Sequence, residues 1–261
     1  MKFVPKRWVG LGLGAAMLGA AGLTACSGEQ GETPAPAGQG AVPASAGEGG
    51  EGGEGEGAFG RLDPMQVLPV EKRLAFMSGH VEAGLALYRA GAPDQAARHL
   101  LHPVSETHAH ERAGLDALGF KPEVFEQVSA GLEAGKPAAE IEPLLAEAEA
   151  NMRLMRDQAG GEPKTLIEYL MKTLAEEYDA GVDDGEIVNA GEYQDAYGFA
   201  VVARDIAAAR APETYGELKL ELDVLVLMWP SKGPLADSIP APEPQMAEQL
   251  NRVKLTLAGL P

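Results

Sequence analysis

Leu218-Lys219-Leu220-Glu221-Leu222-Asp223-Val224 alternates apolar and polar residues with a period of two, as a half-buried strand does. Read as a strand, it makes the fold mixed; read as part of a longer helix, it makes the fold all-α. No second strand-like run offers it a partner, and a lone strand leaves its backbone N–H and C=O groups unpaired. The window from Pro212 to Trp229 is therefore expected to be helical.

Outward from this segment, apolar residues recur at three- and four-residue steps. In the window from Val70 to Ala90 they are Leu74, Met77, Val81, Leu85 and Tyr88. Gly91-Ala92-Pro93-Asp94 closes that helix and opens the next, with proline at an early helical position. Asp94 to Leu118 continues the pattern with an interruption at His102-Pro103. Further helices are expected over Pro122–Leu132, Pro137–Gln158, Pro163–Ala180, Glu192–Arg210 and Gln245–Leu257. Short Pro/Gly turns favour neighbour-to-neighbour packing, so the expected fold class is all-α, an antiparallel helical bundle.

The stretch before this bundle has a different character. Lys2, Lys6 and Arg7 precede an apolar run from Trp8 to Leu23, the layout of a bacterial secretory signal. Leu23-Thr24-Ala25-Cys26 resembles the lipobox of bacterial lipoproteins. That resemblance implies cleavage before Cys26 and acylation of Cys26, including palmitate, with the acyl chains as a membrane anchor. Ser27 after the cysteine implies sorting to the outer membrane, on its periplasmic face. Ser27 to Ala58 has no Lys or Arg and contains Gly-Glu repeats between Glu48 and Gly57. Such a composition cannot bury enough apolar surface to offset chain entropy and is expected to be a disordered tether. The expected organisation is a signal peptide (1–25), a lipidated cysteine and tether (26–60), and a helical bundle domain (61–261).

Composition removes several classes of function. The 261 residues include 21 Lys+Arg against 39 Asp+Glu, a net charge of −18, which leaves no basic surface for nucleic acid. A single cysteine excludes a disulfide framework and any multi-cysteine zinc or iron–sulfur site within one chain. After Cys26 no apolar run approaches the roughly 20 residues that a transmembrane helix needs. There is no Gly-x-Ser-x-Gly elbow, no His-Glu-x-x-His motif and no Gly-rich phosphate loop, and the Glu-x-x-His pairs of a ferritin-like di-iron bundle are missing. The expected protein is not an enzyme.

The histidines are the clearest chemical signal. All five, His80, His99, His102, His108 and His110, fall between positions 80 and 110. At about 100° per residue, His99, His102, Glu106 and His110 fall on one helical stripe and His108 on the opposite face. His80 and His102 are equally distant from residue 91, so a turn at Gly91-Ala92 can bring them level on antiparallel helices. His80, His99, His102 and Glu106 are thus candidate ligands. Imidazoles with a carboxylate suit iron, zinc or copper, and not magnesium or calcium, which prefer oxygen shells.

A second constellation lies between Glu168 and Phe199. Asp184-Gly185 supplies a tight turn between two helices, which places Glu177 opposite Glu192 and Asp195. Carboxylates and tyrosines gathered in this way can hold Fe(III). These residues form a second site or complete the first, or are only turn, cap and core residues. The run Glu177 to Phe199, EYxxGVxDGxIVNxxEYQDAxGF, resembles the extracytoplasmic helical domain found with bacterial iron permeases of the oxidase-dependent type. The resemblance covers about 40 residues and implies roles for Glu177, Tyr178, Asp184, Gly185, Glu192, Tyr193 and Asp195. His108-Ala109-His110-Glu111 also matches, over four residues, the His-x-x-Glu motif of imelysin-like periplasmic proteins.

Together these features describe a lipid-anchored periplasmic metal-binding protein, for iron first and zinc or copper second. Its partners would be the membrane, through Cys26, and a metal transporter. The competing reading is a structural or interaction lipoprotein without metal, which docks a partner through apolar residues around Val224 to Trp229.

Overall fold

The computed structural model of the chain describes residues 68–105 and 114–261. Among these, the elements are α1 (Val70–Arg89), α2 (Pro93–Ser105), α3 (Pro122–Glu133), α4 (Ala138–Ala159), α5 (Pro163–Gly181), β1 (Val182–Asp183), β2 (Glu186–Ile187), α6 (Ala190–Ala208), α7 (Pro212–Val226) and α8 (Glu243–Ala258). The fold is all-α apart from the two short strands. The lipobox, the tether, Glu106, His108 and His110 lie outside the described residues.

Local chemistry sets the helix starts. Proline opens α2, α3, α5 and α7, where its fixed φ is helical and its missing N–H would have no intrahelical partner. The Glu162 carboxylate caps α5 by accepting from the backbone N–H groups of Lys164 (3.0 Å) and Thr165 (2.6 Å). The Asn189 side chain caps α6 by accepting from Gly191 N at 3.1 Å. Contrary to expectation, Pro103 does not interrupt its helix: α2 runs through it to Ser105. Burial of Leu100, His102 and Pro103 itself stabilises the turn against the one backbone bond that proline removes.

The ambiguous segment resolves as helix α7. Leu218, Leu222 and Leu225 are buried, at steps of four and three. Leu220, two residues from each of the first two, is 62% exposed. The period of two thus splits between two faces of a helix. The strand pair lies elsewhere, between α5 and α6. Val182 pairs with Ile187 and Asp183 with Glu186, in antiparallel register. Asp184 (φ 50°) and Gly185 (φ 78°) occupy the left-handed region at the turn, which a two-residue hairpin with Asp-Gly requires.

Two apolar cores share α1. Leu74, Met77, Val81 and Leu85 of α1 pack with α2, α3 and α4, whereas Ala75 and Phe76 join a core built by α5, α6, α7 and α8. Helix α1 is consequently buried almost all round from Leu74 to Leu85. It meets α6 at a glycine crossing. A Cβ on Gly198 would overlap the carbonyl oxygen of Gly79, and one on Gly79 would overlap the Phe199 ring. Only glycine at both positions lets the two backbones approach so closely. That crossing fixes what lies next to it, His80 on α1 and Asp195 one turn before Gly198 on α6.

Candidate metal centre

The site is built where α2 joins this crossing. Residues on α1 (His80), α2 (His99, His102) and α6 (Asp195) each bring one ligand atom into a group whose members all lie within 4.8 Å of one another. His99 and His102 are three apart on α2, so both rings face the same neighbour. The turn at Gly91 brings His102 level with His80, as the equal spacing required: their Nδ1 atoms are 3.0 Å apart. Asp195 is the hub. Its Oδ1 lies 2.6 Å from His80 Nδ1 and 2.8 Å from His99 Nδ1, and its Oδ2 lies 4.0 Å from His102 Nδ1.

All four side chains are buried, at 2, 2, 8 and 2% relative exposure for His80, His99, His102 and Asp195. Phe76 meets the His80 ring edge-on with centroids 4.5 Å apart, and Phe199 stacks on Phe76 at 5.2 Å. These rings keep the surroundings apolar. Burial alone would raise the Asp195 pKa, but the adjacent His80 and His99 rings hold it well below the ordinary carboxylate range. Burial alone would lower the His99 pKa, and Asp195 with its hydrogen bond outweighs that and raises it. The carboxylate and the His99 ring thus sustain each other's charge.

The donor set fits a borderline transition metal. Four tetrahedral ligand atoms at about 2.0–2.3 Å from one ion stand roughly 3.3–3.8 Å apart, a range that lies within the 2.6–4.0 Å spread of the separations among these Nδ1 and carboxylate atoms. Three imidazoles exclude the all-oxygen shells of magnesium and calcium. Because His99 Nδ1 donates to Asp195, it must lose its proton before it can ligate, so ion binding releases protons and strengthens as pH rises.

The structure sorts the remaining candidates. Asp195 completes the histidine group instead of forming a separate acidic site. Glu177 on α5 and Glu192 on α6 are both buried, and Glu177 is hydrogen-bonded to Glu192. Burial first, then the bond to Glu192 and the nearby Asp195 charge, push the Glu177 carboxyl up to about 10, so it is a neutral acid near pH 7. Tyr178 and Tyr193 are core residues. Burial pushes both hydroxyls up, Tyr178 donates to the Ala241 carbonyl at 2.6 Å, and both pack against Trp229. They are not poised as tyrosinate ligands. Asp183, Asp184 and Glu186 belong to the hairpin and its turn.

Two site residues escaped the sequence reading. Gln194 Oε1 accepts from His99 Nε2 at 2.7 Å, and Gln194 Nε2 donates to Gln95 Oε1 at 2.5 Å. The signal was present in their spacing: Gln95 is one turn before His99 on α2, and Gln194 adjoins Asp195.

No curated protein and no solved structure matches the chain. Residues 162–258, which span α5 to α8 and supply Asp195, Glu177, Glu192 and Gln194 but none of the histidines, match the iron permease-associated 4-helix bundle domain, and the helical domain of this chain resembles that family.

Proposed function

We propose that this chain is a lipid-anchored protein of the periplasmic face that captures a transition-metal ion or delivers it to a transport system. Iron is the first candidate, with zinc or copper second. The observation that carries this reading is the convergence of His80, His99, His102 and Asp195, all buried, from three helices. The iron permease-associated match favours iron and a role in its uptake. The anchor at Cys26 and the location rest on the amino-terminal sequence. No helix among the described residues is long and apolar enough to cross a membrane; in this reading a partner carries out the transport step.

The reading is of a non-catalytic protein. Catalytic metal sites keep a position open for water or substrate, whereas in this reading the ion takes four protein donors, His80, His99, His102 and Asp195, the number that fills a tetrahedral shell. The test is elemental analysis of the chain purified without chelator, followed by calorimetric titration with iron, zinc and copper. Near-stoichiometric metal that His99→Ala with His102→Ala abolishes, while the helical circular-dichroism signal persists, supports the proposal. Unchanged affinity in that double variant removes the site.

A second reading has one observation in its favour. Leu220 (62% exposed), Val224 (43%) and Leu227 (79%) form an apolar stripe at helical spacing along α7 and its end. A metal-free interaction lipoprotein would use such a stripe for docking, and substitution of these residues would then abolish function without changing metal content.

A further inference from the structure

The metal group is held by a hydrogen-bonded relay that reaches from the loop after α7 to the His99 ring. Its polarity can be worked out from one end. The backbone N–H of Ala236 can only donate, and it meets Gln95 Oε1 at 3.2 Å. That fixes the oxygen of the Gln95 amide as the acceptor at this point. The same oxygen receives Gln194 Nε2 at 2.5 Å, so the Gln194 amide must turn its oxygen toward His99. Gln194 Oε1 then accepts from His99 Nε2 at 2.7 Å, which requires a proton on Nε2. In the metal-free chain the other ring proton is on Nδ1 and is donated to Asp195; with Nε2 held protonated, Nδ1 is the nitrogen left to present its lone pair when an ion enters.

We infer that Gln194 and Gln95 are positioning residues of the metal centre: anchored by Ala236 N–H, they lock His99 in the tautomer that presents Nδ1 as a ligand. Gln194 is buried and Gln95 half-buried, so the polarity is not averaged by bulk water. A relay of opposite polarity would present a donor to His99 Nε2, leave the neutral ring's one proton on Nδ1 and block ligation there. Outer hydrogen bonds of this kind typically change metal affinity by about 10–100-fold. This inference rests on the proposed metal-binding reading, but its structural half holds in the metal-free chain as well.

The test has two readouts on the purified full chain. In the first, Zn(II) affinity is measured by competition with a chromophoric chelator for wild type, Gln194→Leu and Gln194→Glu. Gln194→Leu should weaken binding by about 10–100-fold. Gln194→Glu retains an acceptor for Nε2 and should recover most of that loss, since the Gln95 amide can reverse and leave the exposed Ala236 N–H to water. The second readout is the ¹⁵N spectrum of the His99 ring in the metal-free chain, where wild type should show a protonated, hydrogen-bonded Nε2 and Gln194→Leu an Nε2 proton that exchanges freely with water. If Gln194→Leu fails to fold, Gln95→Leu, at the outer end of the relay, carries the same two expectations with a smaller affinity loss. Unchanged affinity in the leucine variants overturns the inference, as does an unprotonated Nε2 in wild type. Absence of Zn(II) and iron binding in wild type with Nε2 protonated would instead overturn the metal reading and leave the relay standing.

Discussion

Replacing Asp195 by asparagine in the metal-free chain isolates the interaction on which the site is built. The amide has the same shape, so no cavity forms, but the buried hub of two short contacts, 2.6 Å to His80 and 2.8 Å to His99, loses its charge. Removing one partner of a buried ion pair costs about 3–5 kcal/mol, because the other charge is left uncompensated. The pH dependence follows from the two shifts. The His99 pKa is raised in the fold, so its contribution is complete below its unfolded value near about 6.5 and is lost as pH rises through the folded value. The Asp195 pKa is depressed, so its contribution is complete above its unfolded value near about 3.9 and is lost as pH falls. Both are complete together only between about pH 4 and 6.5. Urea unfolding followed by far-ultraviolet circular dichroism, in chelator, should therefore show the largest gap between wild type and Asp195→Asn near about pH 5.5, shrinking toward pH 9. A gap below about 1 kcal/mol at that pH, or one that widens on going alkaline, would refute the reasoning.

Three further outcomes are expected. Gly198→Ala should cost about 1–3 kcal/mol in denaturant melts, because its methyl group meets a backbone oxygen of Gly79 that cannot rotate away; it should also weaken metal binding by parting His80 from Asp195. Glu177→Gln should stabilise the chain by about 1–3 kcal/mol near pH 7.5 and change little near pH 4, since the folded state holds a proton there that the unfolded state has released. Equal stability of Glu177→Gln and wild type at both pH values would contradict this. Asn189→Ala removes the cap of α6 and should cost about 1 kcal/mol, read as a lowered urea midpoint with unchanged slope.

How much of this was legible in the sequence depended on whether the deciding contact was local. The helix of 212–226 could be read against its own alternation because an unpaired strand is physically untenable, and the buried trio Leu218, Leu222 and Leu225 follows from that choice. The meeting of His80 with His102 needed only two helices, one turn and equal spacing from residue 91. Asp195 could be singled out, but its union with the histidines depends on the crossing of α1 with α6, about 115 residues apart in the chain. Nothing in the local pattern of Gly79 or Gly198 reveals which glycine will meet which. The Glu177–Glu192 pair was legible as a pair across the Asp-Gly turn, whereas its neutral, protonated character comes from burial that spacing cannot report. The glutamine relay was missed because neutral amides carry no charge pattern, although Gln95 and His99 stand at the i, i+4 spacing of a shared face.

The central claim is that one ion binds between the three imidazoles and Asp195. Anomalous diffraction from crystals of the iron-loaded chain, recorded at the iron edge, tests it most directly. The account predicts a single strong peak within about 2.0–2.3 Å of the Nδ1 atoms of His80, His99 and His102 and an Asp195 oxygen. A peak elsewhere, or none in crystals whose protein retains the buried His–Asp cluster, would contradict it.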